Sequence, residues 1–173
     1  MKIVIDTSVL ISLAKINYME IIAKLKSNLI LSNEVYEEAV VEGEKKDLPD
    51  ATLIKKFIKE NKIAQVQVKN SSIKGLSLKI EKNLSKGDAS ILALALQENA
   101  VEILTDDEGL AKLALFLDFK VSASSDLIFQ SLSEGIIKYN EFDKHIKNLV
   151  LENRLSPVVA EFYIMEGKKY DKN

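Results

Sequence analysis

Four separated segments of the chain each put an acidic residue where an apolar run stops and a helix-like run begins. They are Lys2-Ile-Val-Ile-Asp6, Val35-Tyr-Glu-Glu38, Gly87-Asp-Ala-Ser90 and Ile103-Leu-Thr-Asp-Asp107. Carboxylates held close together repel at neutral pH unless a positive charge sits between them. If folding gathers these four places, it builds an all-oxygen hole for a hard divalent cation, Mg²⁺ or Mn²⁺. Such ions are held by carboxylates, waters and substrate phosphates, so phosphate-ester chemistry is the natural reaction class. The ion would acidify a water and neutralise charge on the leaving oxygen.

Each acid also has a structural alternative. Asp6 or Thr7 can cap the helix that follows the first apolar run. Glu38 flanks the inward face marked by Val35 and Ala39, as an ordinary surface glutamate would. Ser85-Lys-Gly-Asp88 fits the S-x-x-[DE] capping pattern, in which the acid reaches back to the cap amide. Gly87 beside it allows close approach of a backbone or a ligand. Asp107 can cap the helix starting at Glu108, whereas Asp106 has no structural task legible in the sequence. Thr105 is placed to hydrogen-bond a carboxylate and orient it, as residues behind a metal ligand do.

Composition removes most other chemistries. The chain has 173 residues, is 47% hydrophobic and 29% charged, and carries a net charge of −2. That balance suits one soluble domain. There is no cysteine, which eliminates disulfides, thiolate nucleophiles and cysteine zinc sites, and is compatible with a reducing cytoplasm. The lone histidine, His145, is expected on the surface between Lys144 and Lys147. Zinc hydrolase, Cys/His and serine-triad chemistry therefore lack their parts. No G-x-S-x-G, Walker loop or G-x-G-x-x-G occurs. An aspartyl-phosphate mechanism at Asp6 would want a second aspartate two residues on, where Ser8 stands. The start of the chain is too short and too soon charged for a signal peptide, and no apolar run approaches the roughly 18 residues of a membrane span. Lysines gather over 55–62 and 69–86, and Lys74, Lys79, Lys82 and Lys86 are candidates to track a nucleic-acid backbone. A solvated helix face accounts for them equally.

The elements that must position these acids follow from periodicity. Strands are predicted over 2–5, 29–31, 63–68, 101–104 and 120–122. Helices are predicted over 8–15, 18–26, 33–42 (capped by Ser32 or Asn33), 51–61, 76–83, 87–97, 108–117 and from Ser124 or Ser125 to Gly135. Residues 70–75 read as a polar break. Two tail helices, 140–153 and 156–167, flank Arg154-Leu-Ser-Pro157. Pro157 suits a first helical position and Gly167 a helix end. Strands alternating with helices predict a parallel α/β sheet of about five strands with helices on both faces, a three-layer sandwich. In such sheets residues just past the C-terminal ends of strands share a crevice. That places Asp6 and the Asp106-Asp107 pair together, and leaves the direction of Glu38 and Asp88 open.

The motifs Ile5-Asp-Thr-Ser8, Val35-x-x-Glu38, Gly87-Asp-Ala-Ser90 and Thr105-x-Asp107, in this order and spacing, resemble the PIN domain family, the fold of VapC-type toxin ribonucleases and related RNA-cleaving nucleases. The likeness covers roughly residues 1–130. It is strongest to a prokaryotic, chiefly archaeal, branch in which a DD pair follows the fourth strand and a helical tail ends the chain. The resemblance implies a PIN-like domain over 1–135 with a helical extension over 136–173 packed on it. It implies a Mg²⁺- or Mn²⁺-dependent endoribonuclease, with Asp6 and Asp88 as principal ligands and Glu38 and Asp107 completing the cluster. Asp106 is an extra member, and Thr7, Ser8 and Thr105 support the acids. It further implies a cytoplasmic homodimer acting on RNA, with a small antitoxin encoded alongside. Many members carry another acid two residues after the T-x-D aspartate. Here Gly109 stands there, beside Glu108. The alternative from a different class is a non-catalytic RNA- or protein-binding module on the same scaffold.

Overall fold

Ile3, Val4 and Ile5 point to alternating faces and all are buried, so strand β1 (Lys2–Ile5) must be covered on both sides. The structure, a computed structural model that describes residues 1–25, 28–80 and 84–171, meets this with a five-stranded, wholly parallel sheet in the order β3-β2-β1-β4-β5. Strands β2 (Asn28–Ser32) and β4 (Glu102–Leu104) flank β1, while β3 (Ala64–Val66) and β5 (Lys120–Ser122) form the edges. With helices on both faces, this is the α/β sandwich expected from the sequence. The chain winds outward from β1 to β3 and then returns to the far side of β1 for β4 and β5. The order therefore reverses between β1 and β4, and a crevice opens outside the strand ends at such a point.

Helix α1 (Thr7–Lys15) leads to the short α2 (Glu20–Ala23). Ser32 ends β2 and caps α3 (Asn33–Tyr36), its hydroxyl accepting from Val35 N at 3.1 Å. The helix predicted over 33–42 is not uniform. After α3 it widens into a π-helical turn over Glu37–Glu42, in which the consecutive Ala39 and Val40 are both buried, before α4 (Gly43–Lys45). Helix α5 (Pro49–Glu60) starts on its proline and packs against α1. Expected as a polar break, the segment from Asn70 is instead helix α6 (Asn70–Ser77). A distant residue starts it: Gln97 Oε1 accepts from Lys69 N at 2.9 Å and Ser72 Oγ at 3.1 Å, while Leu76 is buried. Positions 26, 81 and 83, and Lys82, lie outside the described residues.

Helix α7 (Lys86–Gln97) lies on β1 and β2 beside α3 and α6. Helix α8 (Glu108–Phe116) joins β4 to β5, and α9 (Ser124–Ser133) ends at Gly135 in the left-handed conformation (φ 71°) that glycine tolerates. The tail forms α10 (Tyr139–Leu151) and α11 (Pro157–Gly167), which pack on each other and on α9. Phe142, Ile146 and Leu149 of α10 join the main core. Gly167 is not a left-handed cap. It sits against Phe142, where an added Cβ would come within 2.4 Å of the ring. Nor is His145 a plain surface residue: it stacks on Tyr18 with centroids 3.9 Å apart, and burial, helped by Lys144, pushes its pKa down. Among the described residues no helix is long and apolar enough to cross a membrane.

Candidate active site

Parallel pairing sets Ile5 beside Leu104, and Asp6 N donates to Leu104 O at 2.9 Å. The first residues beyond β1 and β4 are thereby neighbours. Asp6 occupies the N-cap position of α1, yet its carboxylate makes no capping bond. Its Oδ2 instead accepts from the Ser8 hydroxyl and from Thr105 Oγ1 at 2.7 Å. No side-chain donor among the described residues reaches Oδ1. Ser8 Oγ also accepts from Asp106 N at 2.9 Å, and Thr105 Oγ1 from Asp107 N at 3.0 Å. Two hydroxyls thus tie the turn after β4 to the Asp6 carboxylate. Asp6 is buried and forms no ion pair among the described residues. Desolvation, aided by the nearby Glu38 charge, raises its pKa against the lowering effect of the Ser8 and Thr105 hydrogen bonds.

Glu38 lies in the π-helical turn and its Oε2 accepts from Thr7 Oγ1 at 3.2 Å. The three residues expected to support the acids, Thr7, Ser8 and Thr105, therefore all bond to carboxylates. A buried hydroxyl pair fixes α3 to α7: Ser32 Oγ and Ser90 Oγ are 2.9 Å apart, and Ser90 Oγ donates to Gly87 O at 2.8 Å. This link holds the element bearing Glu38 to the one bearing Asp88. Ser85 caps α7 by accepting from Asp88 N at 3.0 Å, but the reciprocal bond from the Asp88 carboxylate to the cap amide is not formed among the described residues. Gly87 faces Glu38, whose Oε2 would stand 3.8 Å from an added Cβ. Packing does not demand a glycine there. Its lack of a side chain leaves the wall between Glu38 and Asp88 low.

The aspartate pair divides its work. Asp107 caps α8, its Oδ1 accepting from Leu110 N at 2.7 Å. Asp106, for which the sequence suggested no structural task, has one: Oδ1 accepts from Ser124 N at 2.7 Å and Oδ2 from Ser124 Oγ at 2.6 Å, so it satisfies the start of α9 from a distance. Both its oxygens are engaged.

All five acids, Asp6, Glu38, Asp88, Asp106 and Asp107, line one cleft of about 670 Å³ together with Thr7, Ser8 and Gly87. Lys74, Lys79 and Lys86 do not. All three are exposed, Lys86 standing just outside at the start of α7. Sequence reasoning missed two further residues that line the cleft, Asn153 and Arg154. One signal was available: Arg154 is the only arginine in a lysine-rich chain.

The donor set suits a hard cation, being all oxygen with neither histidine nor cysteine. Asp6 is a buried carboxylate that forms no ion pair among the described residues, a costly arrangement that a bound cation relieves. As their side chains stand, however, no three acids among the described residues converge closely enough to close around an ion. Asp6, Glu38 and Asp88 are the three whose carboxylates capping does not consume.

An α/β sandwich whose topological switch point opens into a carboxylate-lined cleft defines the class of this protein. The chain belongs to the PIN domain family, whose model matches residues 2–164 and so runs through α10 into α11. A similar solved structure is the VapC20 toxin of Mycobacterium tuberculosis, described as cleaving the sarcin-ricin loop. It is 16% identical, the match covers 64% of this chain and 94% of that one, and the TM-score is 0.50. At that identity the likeness bears on fold alone. No curated protein sequence matches the chain significantly.

Proposed function

We propose that this PIN domain is a divalent-metal-dependent endoribonuclease that hydrolyses RNA phosphodiesters in the cytoplasm. The observation that carries the reading is the pair Asp6 and Asp88, two carboxylates that no cap consumes, facing one cleft at the switch point of a PIN-family sheet. In this reading Asp6 and Asp88 hold Mg²⁺ or Mn²⁺, with Glu38 and Asp107 completing the acidic cluster. The ion, when bound, supplies charge neutralisation at the phosphate and a more acidic water. Ser8 and Thr105 hold the Asp6 carboxylate in one orientation, and Thr7 does the same for Glu38. Residues 136–173 read as a helical extension of a catalytic unit spanning 1–135. Lys74, Lys79 and Lys86, with Lys82, are candidates to meet the RNA backbone outside the cleft.

The test is cleavage of single-stranded RNA with Mg²⁺ or Mn²⁺, lost in EDTA, beside a rise in melting temperature on adding Mn²⁺ alone. The spread of the acids favours a second reading, a non-catalytic binding module. Absence of any Mn²⁺-dependent melting shift together with absence of cleavage would establish it in place of the first.

Asp106 is the member assigned a structural part. Asp106→Asn should lose about 1 kcal/mol of stability, since the amide keeps one oxygen for Ser124 N and must meet the Ser124 hydroxyl through its NH₂, trading two charge-assisted bonds for neutral ones. Its cleavage rate should fall far less than that of an Asp6 variant. Thermal melting and initial rates measured together check this, and equal loss of cleavage in both variants would return Asp106 to the ligand set.

A homodimer and a small antitoxin remain the partners to seek. Support for self-association comes from α11, where Val158, Phe162 and Met165 share one exposed face. Phe162→Glu should shift the mass seen by light scattering from dimer to monomer. A wild-type monomer at all concentrations would exclude the dimer.

A further inference from the structure

Resting on the nuclease reading, we infer that Arg154 is a phosphate-binding residue of the cleft, contacting a backbone phosphodiester of the RNA beside the carboxylates. Arg154 lies in the connection between α10 and α11. Helix α10 ends at Leu151, and Asn153 takes the left-handed conformation (φ 55°) that asparagine tolerates better than most residues. That reversal brings Arg154 N back to Leu149 O at 2.7 Å and turns the side chain onto α1.

There the guanidinium is pinned by two bonds. Its Nε donates to Ser12 Oγ at 2.8 Å and its Nη2 to Ser8 O at 3.1 Å. A guanidinium has five N–H donors, so Nη1 and part of Nη2 stay available. Among the described residues Arg154 forms no ion pair, although five acids line the same cleft. Among the described residues it is also the only cationic side chain lining that cleft.

A partly buried, pre-aimed fork with free donors fits the geometry of a phosphate better than a lysine does. An acidic cleft repels a polyanion, and a fixed positive group on one wall gives the backbone a place to enter. Ser8 joins the two side chains: its hydroxyl orients Asp6 while its carbonyl anchors Arg154. The phosphate subsite and the candidate ligand are thereby held in register by one residue.

The test is binding of fluorescein-labelled single-stranded RNA to the full chain in EDTA, followed by anisotropy over a salt series. Arg154→Gln keeps a donor for Ser12 but removes the charge. It should bind about tenfold more weakly, as losing a charged hydrogen bond does. The slope of log K against log salt should become shallower by about 0.7, the value for one lost phosphate contact on a single strand. Arg154→Lys should keep the slope and recover only part of the affinity. A merely structural Arg154 would move the melting temperature and leave the slope alone, and that result overturns the inference. If Arg154→Gln fails to fold, the lysine variant decides, because wild-type affinity in it rules out a fork-shaped contact. Failure of the nuclease reading shows differently, as unchanged cleavage in Asp6→Asn. A wild type that binds no RNA overturns both.

Discussion

Asp6→Asn and Asp88→Asn should each lower RNA cleavage by on the order of 10²–10³-fold or more while leaving the fold intact. If the two carboxylates hold the ion as proposed, several kcal/mol of transition-state charge stabilisation rests on them, and each 1.36 kcal/mol is tenfold in rate. The two variants should differ in stability. Burial raises the Asp6 pKa above its ordinary 3.8, so folding disfavours the charged form. A raised folded-state pKa contributes stability that is fully present below the unfolded value and lost as pH rises through the folded value. Metal-free wild type at neutral pH has therefore lost that contribution. Asp6→Asn does not titrate and still offers an oxygen to Ser8 and Thr105. It should melt a few degrees higher than metal-free wild type at pH 7, with the gap closing in acid. Asp88 is only partly buried, and Asp88→Asn should melt close to wild type. Adding Mn²⁺ should reverse the order, raising wild type above Asp6→Asn. Full cleavage in both variants would refute the site. An Asp6→Asn protein that melts lower than wild type without metal would make that carboxylate a structural acceptor.

Phe142→Ala should destabilise the chain by about 3–5 kcal/mol, the range for emptying a fully buried aromatic site, and lower Tm by roughly 10 °C. Phe142 is fully buried on α10. Its ring meets Phe129 of α9 edge-on at 6.0 Å and packs directly on Gly167 of α11. One side chain thus joins three helices. Gly167→Ala attacks the same contact from the other side. Its Cβ would lie 2.4 Å from Cε1 of a ring with no room to retreat, and overpacking of this kind costs about 1–3 kcal/mol. Two of these helices, α10 and α11, flank Arg154, so either change should also weaken RNA binding near the melting range. Melting of both variants by circular dichroism checks the claim. An unchanged Tm for Phe142→Ala would mean that α10 and α11 are not part of one cooperative unit with the sheet.

The acids were easier to find than to assign. Asp6 and the Asp106-Asp107 pair follow apolar runs, and a run that ends in an acid marks a strand end whatever the rest of the chain does. The parallel sheet then puts β1 beside β4, and their neighbourhood follows from strand order. Glu38 is different. A π-helical turn carries it, and that widening is invisible to a 3.6-residue period. Asp88 fitted a capping pattern as well as a ligand pattern, and only the geometry shows a cap made by Ser85 without the return bond from Asp88. For Asp106 the partner that engages it, Ser124, lies 18 residues away. The start of α6 was missed for the same reason, because Gln97 satisfies it across 28 positions.

By itself the sequence determined most of the element types, the parallel α/β plan, the family motifs and an all-oxygen donor set, because periodicity and residue chemistry are local properties. Only the tertiary structure decided which carboxylates are consumed by capping, why Gly167 is a glycine, and that the single arginine of the chain lines the same cleft as the acids. Those outcomes depend on pairs of residues distant along the chain. Ser8 with Arg154, Phe142 with Gly167 and Asp106 with Ser124 meet only when the sheet and its helices close, and no local pattern records the distance between them.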